Sequence, residues 1–214
     1  MVATVIYTNR CNFRCPFCHN RQLVLNTDFQ PVELEEVMRT ISDRKGFIDG
    51  VVVTGGEPTV YPALPELLAA LKSMGVKIKL DTNGYNPAAL DILIGGGLLD
   101  YIAMDIKTSL PKYDLAAGIK VEKEKITTSV EFIQKSRVKH EFRTTCVPGI
   151  VDIQDVEAIS VWIGNGEDYT LQQFQPENTL DPECSKITPY LRQTLEEFRE
   201  IAGRNVASCR LIGV

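Results

Sequence analysis

Long apolar runs are missing from this chain. Nothing in its 214 residues approaches the ~20 consecutive apolar residues of a membrane-spanning helix, so no membrane association is expected. The opening Met1–Tyr7 is apolar but has no basic flank and is too short for a secretory signal. It reads as a strand, and the expected location is cytoplasmic. Clustered positive charge is missing too. Twenty-three Lys and Arg stand against 28 Asp and Glu, a net charge of −5, which argues against nucleic acid as a partner, since that binding is carried by grouped Lys and Arg. There is no low-complexity tract and no interdomain linker. Outside residues 11–19 there is also no second cysteine pair and no Cys-His pair to complete a zinc site of the common kind.

What remains is an ordinary globular composition, 44% apolar and 24% charged. The length favours one domain, 1–214, with a sizeable core. Six cysteines could form three disulfides, but this is not a short secreted scaffold. Cys146, Cys184 and Cys209 are scattered and read as small buried hydrophobes. Cys11, Cys15 and Cys18 are bunched as C-x3-C-x2-C. Three thiolates in eight residues can hold three corners of one small cluster and leave a fourth position open, as in iron–sulfur sites held by Cys thiolates. Zinc, with His19 assisting, and a thioredoxin-like use of Cys15-Pro-Phe-Cys18 are the competing readings.

Apolar runs alternate with helical patterns along the chain. Strands are predicted at 2–8, 50–54, 77–82, 100–106, 140–146 and 169–175. Leu34, Val37, Met38 and Ile41 share a helical face, as do Leu64, Leu67, Leu68, Leu71 and Met74. Val156, Ile159 and Ile163 repeat the pattern behind Asp152, a plausible N-cap, and Leu191, Leu195, Phe198 and Ala202 make a last helix. Such alternation implies parallel strands with right-handed crossovers. The expected fold is α/β, a partial, open (β/α)6 TIM-like barrel, with a doubly wound sheet as runner-up. Functional residues are then expected at the carboxyl ends of strands. The irregular stretches are 9–31, which holds the bunched cysteines, and 176–188.

Further motifs fall at predicted strand ends. Gly55-Gly56-Glu57 follows an apolar strand; glycines let backbone approach a ligand, and Glu57 adds an acceptor. Alone, it is a common turn. Asp81-Thr-Asn83-Gly84 ends the next strand, and its bland reading is a turn. Asp105 and Lys107 alternate around Ile106 and so point the same way; unaided, they read as an ion pair at a barrel mouth. Arg143 either bridges acids within the barrel or clamps a carboxylate with its planar fork. The run Glu122–Lys125 reads as a solvated helix start, and Trp162 as packing between helix and barrel. Tyr7 lines the pocket or fills it.

In this order, the motifs resemble the radical S-adenosylmethionine enzymes. The resemblance implies a [4Fe–4S] cluster on Cys11, Cys15 and Cys18, with S-adenosylmethionine on the open iron. One electron then cleaves the cofactor to methionine and a 5′-deoxyadenosyl radical. By the same resemblance Phe17, Cys18, His19, Gly55, Gly56, Glu57, Asn83, Asp105, Lys107, Arg143 and Gln175 surround the cofactor. The Lys112–Gly118, Phe142–Gly149 and Leu171–Pro182 segments look like activating proteins of the anaerobic ribonucleoside-triphosphate reductase. That implies a glycyl-radical enzyme as partner and a flavodoxin- or ferredoxin-type electron donor, with a glycine-bearing loop entering the open side of the barrel.

Two departures stand out. Such relatives usually carry residues before the first strand, so a truncated or differently annotated start is expected here. Gln175 also stands near the position of a histidine at the sixth strand of the pyruvate formate-lyase activating enzyme, and it cannot become cationic. Two alternatives stay open. One is radical chemistry on another glycyl-radical enzyme, a small molecule or a peptide. The other is a non-enzymatic metal-binding module.

Overall fold

The computed structural model describes residues 2–27 and 30–214; residues 28 and 29 of the 9–31 stretch lie outside it. β1 is Ala3–Thr8. The short α1 (Arg21–Leu25) and α2 (Leu34–Arg44) lead to β2 (Gly50–Gly55). Then come α3 (Leu64–Ser73), β3 (Lys77–Thr82), α4 (Pro87–Gly95) and β4 (Tyr101–Asp105). α5 (Tyr113–Ala117) and α6 (Lys123–Lys135) precede β5 (Lys139–Cys146), followed by α7 (Ile153–Ile163), β6 (Asp168–Gln173), α8 (Arg192–Ala202) and β7 (Ser208–Ile212). All seven strands are parallel and lie in sequence order. β1 and β7 do not pair with each other, so the barrel is open.

The open α/β barrel is as expected, with β7 extending the six predicted strands. Ser208-Cys-Arg-Leu-Ile212 is too short to signal itself. Its apolar Cys209 and Leu211 pack against the hydrophobic core, and Arg210 breaks the apolar run. β6 stops at Gln173, two residues earlier than predicted, and Phe174 turns into the core.

Strand alternation explains where the core sits. Val51, Val53, Ile78, Leu80, Phe142 and Leu171 are almost wholly buried. Between them Lys79, Asp81, Glu141, Arg143, Thr170 and Arg210 reach cavities of the barrel. Hydrophobic burial, about 25 cal/mol per Å² of apolar surface, is therefore concentrated between sheet and helices, and the barrel lumen is polar. Asp152 caps α7 in a reciprocal capping box with Asp155, as the sequence suggested. Lys112 Nζ bridges both carboxylates at 2.7 Å. Trp162 packs half-buried against the core.

Candidate active site

The carboxyl ends of the strands surround a cavity of about 440 Å³. Cys11, Cys15 and Cys18 line it on one side. The loop that carries them is anchored by apolar side chains: Phe13 and Phe17 are buried, and the Phe13 ring lies 5.2 Å from Tyr85 and 6.4 Å from Tyr113. Backbone bonds hold the same loop. Arg14 N donates to Ala117 O at 2.8 Å, and a Cβ at Gly118 would meet Arg14 O at 2.0 Å. The segment around Gly118, noted in the sequence only as a family likeness, is thus what seats the cysteine loop.

Burial pushes all three thiols above their ordinary range, Cys15 to about 12, with the Lys107 charge opposing the rise. The thiols are close enough to feel one another's charge. Among the described residues, no three His, Cys, Asp or Glu side chains are drawn tightly enough together to grip a single metal ion.

Gly55-Gly56-Glu57 packs against the start of this loop. Gly56 N donates to Thr8 O and Glu57 N to Arg10 O, both at 2.8 Å. A Cβ at Gly56 would lie 1.8 Å from Arg10 O, so the neighbouring chain itself already requires glycine there. Glu57 is buried and ties β2 to β3. Its Oε1 accepts from Thr59 Oγ1 at 2.6 Å and Thr82 Oγ1 at 2.7 Å, and its Oε2 accepts from Asn83 N at 2.7 Å. Burial raises its pKa against these hydrogen bonds. Asn83 reaches across to the cysteine loop, its Nδ2 lying 2.7 Å from Asn12 Oδ1 and 3.8 Å from Cys11 Sγ.

The opposite wall is ionic. Lys107 Nζ lies 3.1 Å from Asp105 Oδ2, Arg143 Nε donates to Asp105 Oδ1 at 2.8 Å, and the Arg143 guanidinium also lies 3.5 Å from Asp81 Oδ2. Burial by itself would raise the Asp105 pKa, but the Arg143 and Lys107 charges outweigh it and hold the carboxyl at about 2. Burial likewise disfavours the Lys107 and Arg143 cations, and Asp105 more than reverses this, raising both. Arg143 thus bridges acids within the barrel while still facing the cavity.

His19 and Gln175 are exposed at the rim, the His19 ring 6.2 Å from Phe174. Every residue named from the sequence as a cluster or cofactor contact lines this one cavity. Sequence reasoning missed Thr54, Asp81, Thr145, Gln172, Gln173 and Ile212. Strand parity from Arg143 would have found Thr145, whereas Asp81 needed the register of β3 on β4, which the sequence does not carry. Gln173 stands at the true end of β6. Its Nε2 donates to Tyr190 O at 2.7 Å, and its buried Oε1 has no partner. Three thiols and a wall offering both carboxylates and cations fit an iron–sulfur cluster together with a zwitterionic amino-acid cofactor.

The sequence profile of the Radical SAM superfamily matches residues 5–161. A curated protein of Methanocaldococcus jannaschii, provisionally named a glycyl-radical enzyme activating enzyme, is 32% identical over 209 residues, 95% of this chain and 86% of that one. A 7-carboxy-7-deazaguanine synthase of Neisseria meningitidis is 28% identical, over 72% of this chain and 71% of that one. Among solved structures, Streptococcus suis SuiB bound to S-adenosylmethionine superposes with a TM-score of 0.75 at 18% identity. It covers 99% of this chain, which spans half the length of SuiB. That likeness speaks to the fold. The matches spread over several kinds of enzyme and do not single out one branch.

Proposed function

The chain belongs to the radical SAM superfamily, and from that premise we propose that it activates a glycyl-radical enzyme, with residues 1–214 acting as one catalytic core. Family membership implies a [4Fe–4S] cluster and S-adenosylmethionine, and carries with it an oxidoreductase activity. When bound, they supply one-electron cleavage of the sulfonium and hence a 5′-deoxyadenosyl radical. The observation that carries the reading is the convergence of the C-x3-C-x2-C thiols, the Gly55–Glu57 turn and the Asp105–Lys107 pair on one cavity.

In this proposal Cys11, Cys15 and Cys18 are the cluster ligands. Their raised pKa values mean that ligation displaces protons from buried thiols. Phe13 and Phe17 keep the loop apolar and its sulfurs out of bulk water. Asn83 Nδ2 sits where it can donate toward the Cys11 sulfur, a contact of the kind that tunes cluster potentials. Asp105 and Asp81 offer acceptors to the amino group and ribose hydroxyls of the cofactor. Lys107 and Arg143 offer positive charge to its carboxylate. The preformed Asp105–Arg143 pair fixes both groups before the cofactor arrives.

The 32% identity over most of both chains favours a protein substrate, and the unclosed side of the barrel, where β1 and β7 do not pair, is the proposed entry for its glycine-bearing loop. Anaerobic ribonucleoside-triphosphate reductase is the narrower candidate partner, with a flavodoxin- or ferredoxin-type protein as donor. Similarity to the deazaguanine synthase supports a second reading, chemistry on a small molecule. Electron paramagnetic resonance separates the two. The reduced, cofactor-loaded protein is expected to raise a glycyl radical doublet on an anaerobic reductase or another glycyl-radical enzyme. No such signal on any of them, with cofactor cleavage intact, would sink the activase reading.

A further inference from the structure

A second, larger cavity of about 1410 Å³ opens at the amino ends of the strands. Lys77, Lys79, Arg137, Lys139, Arg199 and Arg210 line it, and Arg143 reaches it from the cavity above. Among the described residues that line it, two are carboxylates, Asp100 and Glu141, and Asp81 reaches Lys79 from above at 3.1 Å. The chain as a whole carries a net charge of −5, so this gathering of cations runs against the overall balance. Internal pairing accounts for part of it. Glu141 sits 3.1 Å from Arg210 and 3.9 Å from Lys79, and Arg199 pairs with Glu196 on α8 at 2.7 Å. Among the described residues, Lys77, Arg137 and Lys139 form no salt bridge; they are exposed around the mouth.

The register adds an aromatic surface. Lys79 is aligned with Tyr101, and Tyr101 with Lys139, so two lysines flank one ring on the lumen face. Lys79 Nζ lies 5.7 Å from the centroid of that ring. Cations of one sign in a concave, low-dielectric cleft focus their field and concentrate counter-ions. Paired charges within the lumen would suffice to fill the barrel; the unpaired cations at its mouth are in excess of that need.

We propose that this lower cavity binds a small molecule carrying a chain of phosphates, held by Lys77, Lys139 and Arg210. The proposal stands on the lower cavity alone and is independent of the chemistry at the upper one. Two sources share the phosphate-chain chemistry, a nucleoside triphosphate and an inorganic polyphosphate, and Tyr101 distinguishes them.

Calorimetric titration of the full chain with ATP and with inorganic tripolyphosphate tests this. Saturable binding is expected, weakening as salt is raised. The double variant Lys77→Gln/Lys139→Gln breaks no ion pair of the described residues and is expected to lose at least tenfold in affinity. Arg210→Gln gives an independent second loss. The control Lys125→Gln/Lys135→Gln on the outer face of α6 is expected to bind like the parent. Tighter binding of ATP, reduced by Tyr101→Leu, assigns a nucleotide; equal binding of both probes, indifferent to Tyr101→Leu, assigns a polyphosphate. Absence of saturable binding of either probe at millimolar concentration overturns the proposal. So does parent-like affinity in Lys77→Gln/Lys139→Gln, or an equal loss in the α6 control.

Discussion

Asp105 is the residue on which the ionic wall turns. Its folded pKa, about 2, lies below the ordinary 3.8. A depressed carboxyl stabilises the folded state above its unfolded pKa, and that contribution fades as pH falls from there through the folded value. Acid denaturation followed by circular dichroism should therefore show stability falling between roughly pH 4 and pH 2. Asp105→Asn should flatten that fall; an unchanged slope would mean that the carboxylate is not held by Arg143 and Lys107. Asn83→Ala should leave the fold intact but shift the reduction potential of a reconstituted cluster, since the amide lies 3.8 Å from Cys11 Sγ. An identical potential in both proteins would remove Asn83 from the cluster's surroundings. Asp105 and Lys107 were readable in the sequence because their alternation fixes a shared face. Asp81 was missed because Asp81-Thr-Asn-Gly also reads as a turn, and only the register across β4 and β5 shows it facing Arg143.

Strands and turns carry the next set of constraints. The Gly55–Glu57 turn was read from the sequence as a place where backbone meets ligand, and the structure adds a demand from within the fold. Gly56→Ala would drive a methyl into Arg10 O. Overpacking of this kind typically costs 1–3 kcal/mol, and with rigid backbone as the obstacle the loss should reach about 3 kcal/mol in a denaturant melt. A loss under about 0.5 kcal/mol would show that the turn yields easily, since surface substitutions away from such features fall in that range. Asp152→Ala removes the α7 cap and one partner of Lys112. About 1 kcal/mol is expected for the lost cap, a drop of about 2–4 °C in Tm for a chain of this size. That cap was legible from Asp152 ahead of an apolar 3.6-residue period. β7 was not, because five residues with a central Arg carry too little pattern. What makes it a strand is the free edge of β6 and the apolar face of α8.

At the scale of the whole molecule, the parallel barrel was legible from alternation, while of its polar lumen only the Asp105, Lys107 and Arg143 end was. Apolar runs such as Val51–Val53 suggest strands buried on both faces, yet Lys79, Glu141 and Arg210 turn inward and their neighbours Ile78, Phe142 and Leu211 pack toward the helices. This division leaves two cavities at opposite ends of one barrel, one walled by thiols and ion pairs and the other rimmed by unpaired cations. The radical chemistry proposed for this chain belongs to the first. After anaerobic reconstitution with iron and sulfide, the protein should be reduced with dithionite in the presence of S-adenosylmethionine, and 5′-deoxyadenosine measured by chromatography. The nucleoside should form with the parent protein and be lost with Cys15→Ala. Nucleoside formation undiminished in Cys15→Ala, or none from a parent protein that has bound its full cluster, would contradict the proposed chemistry.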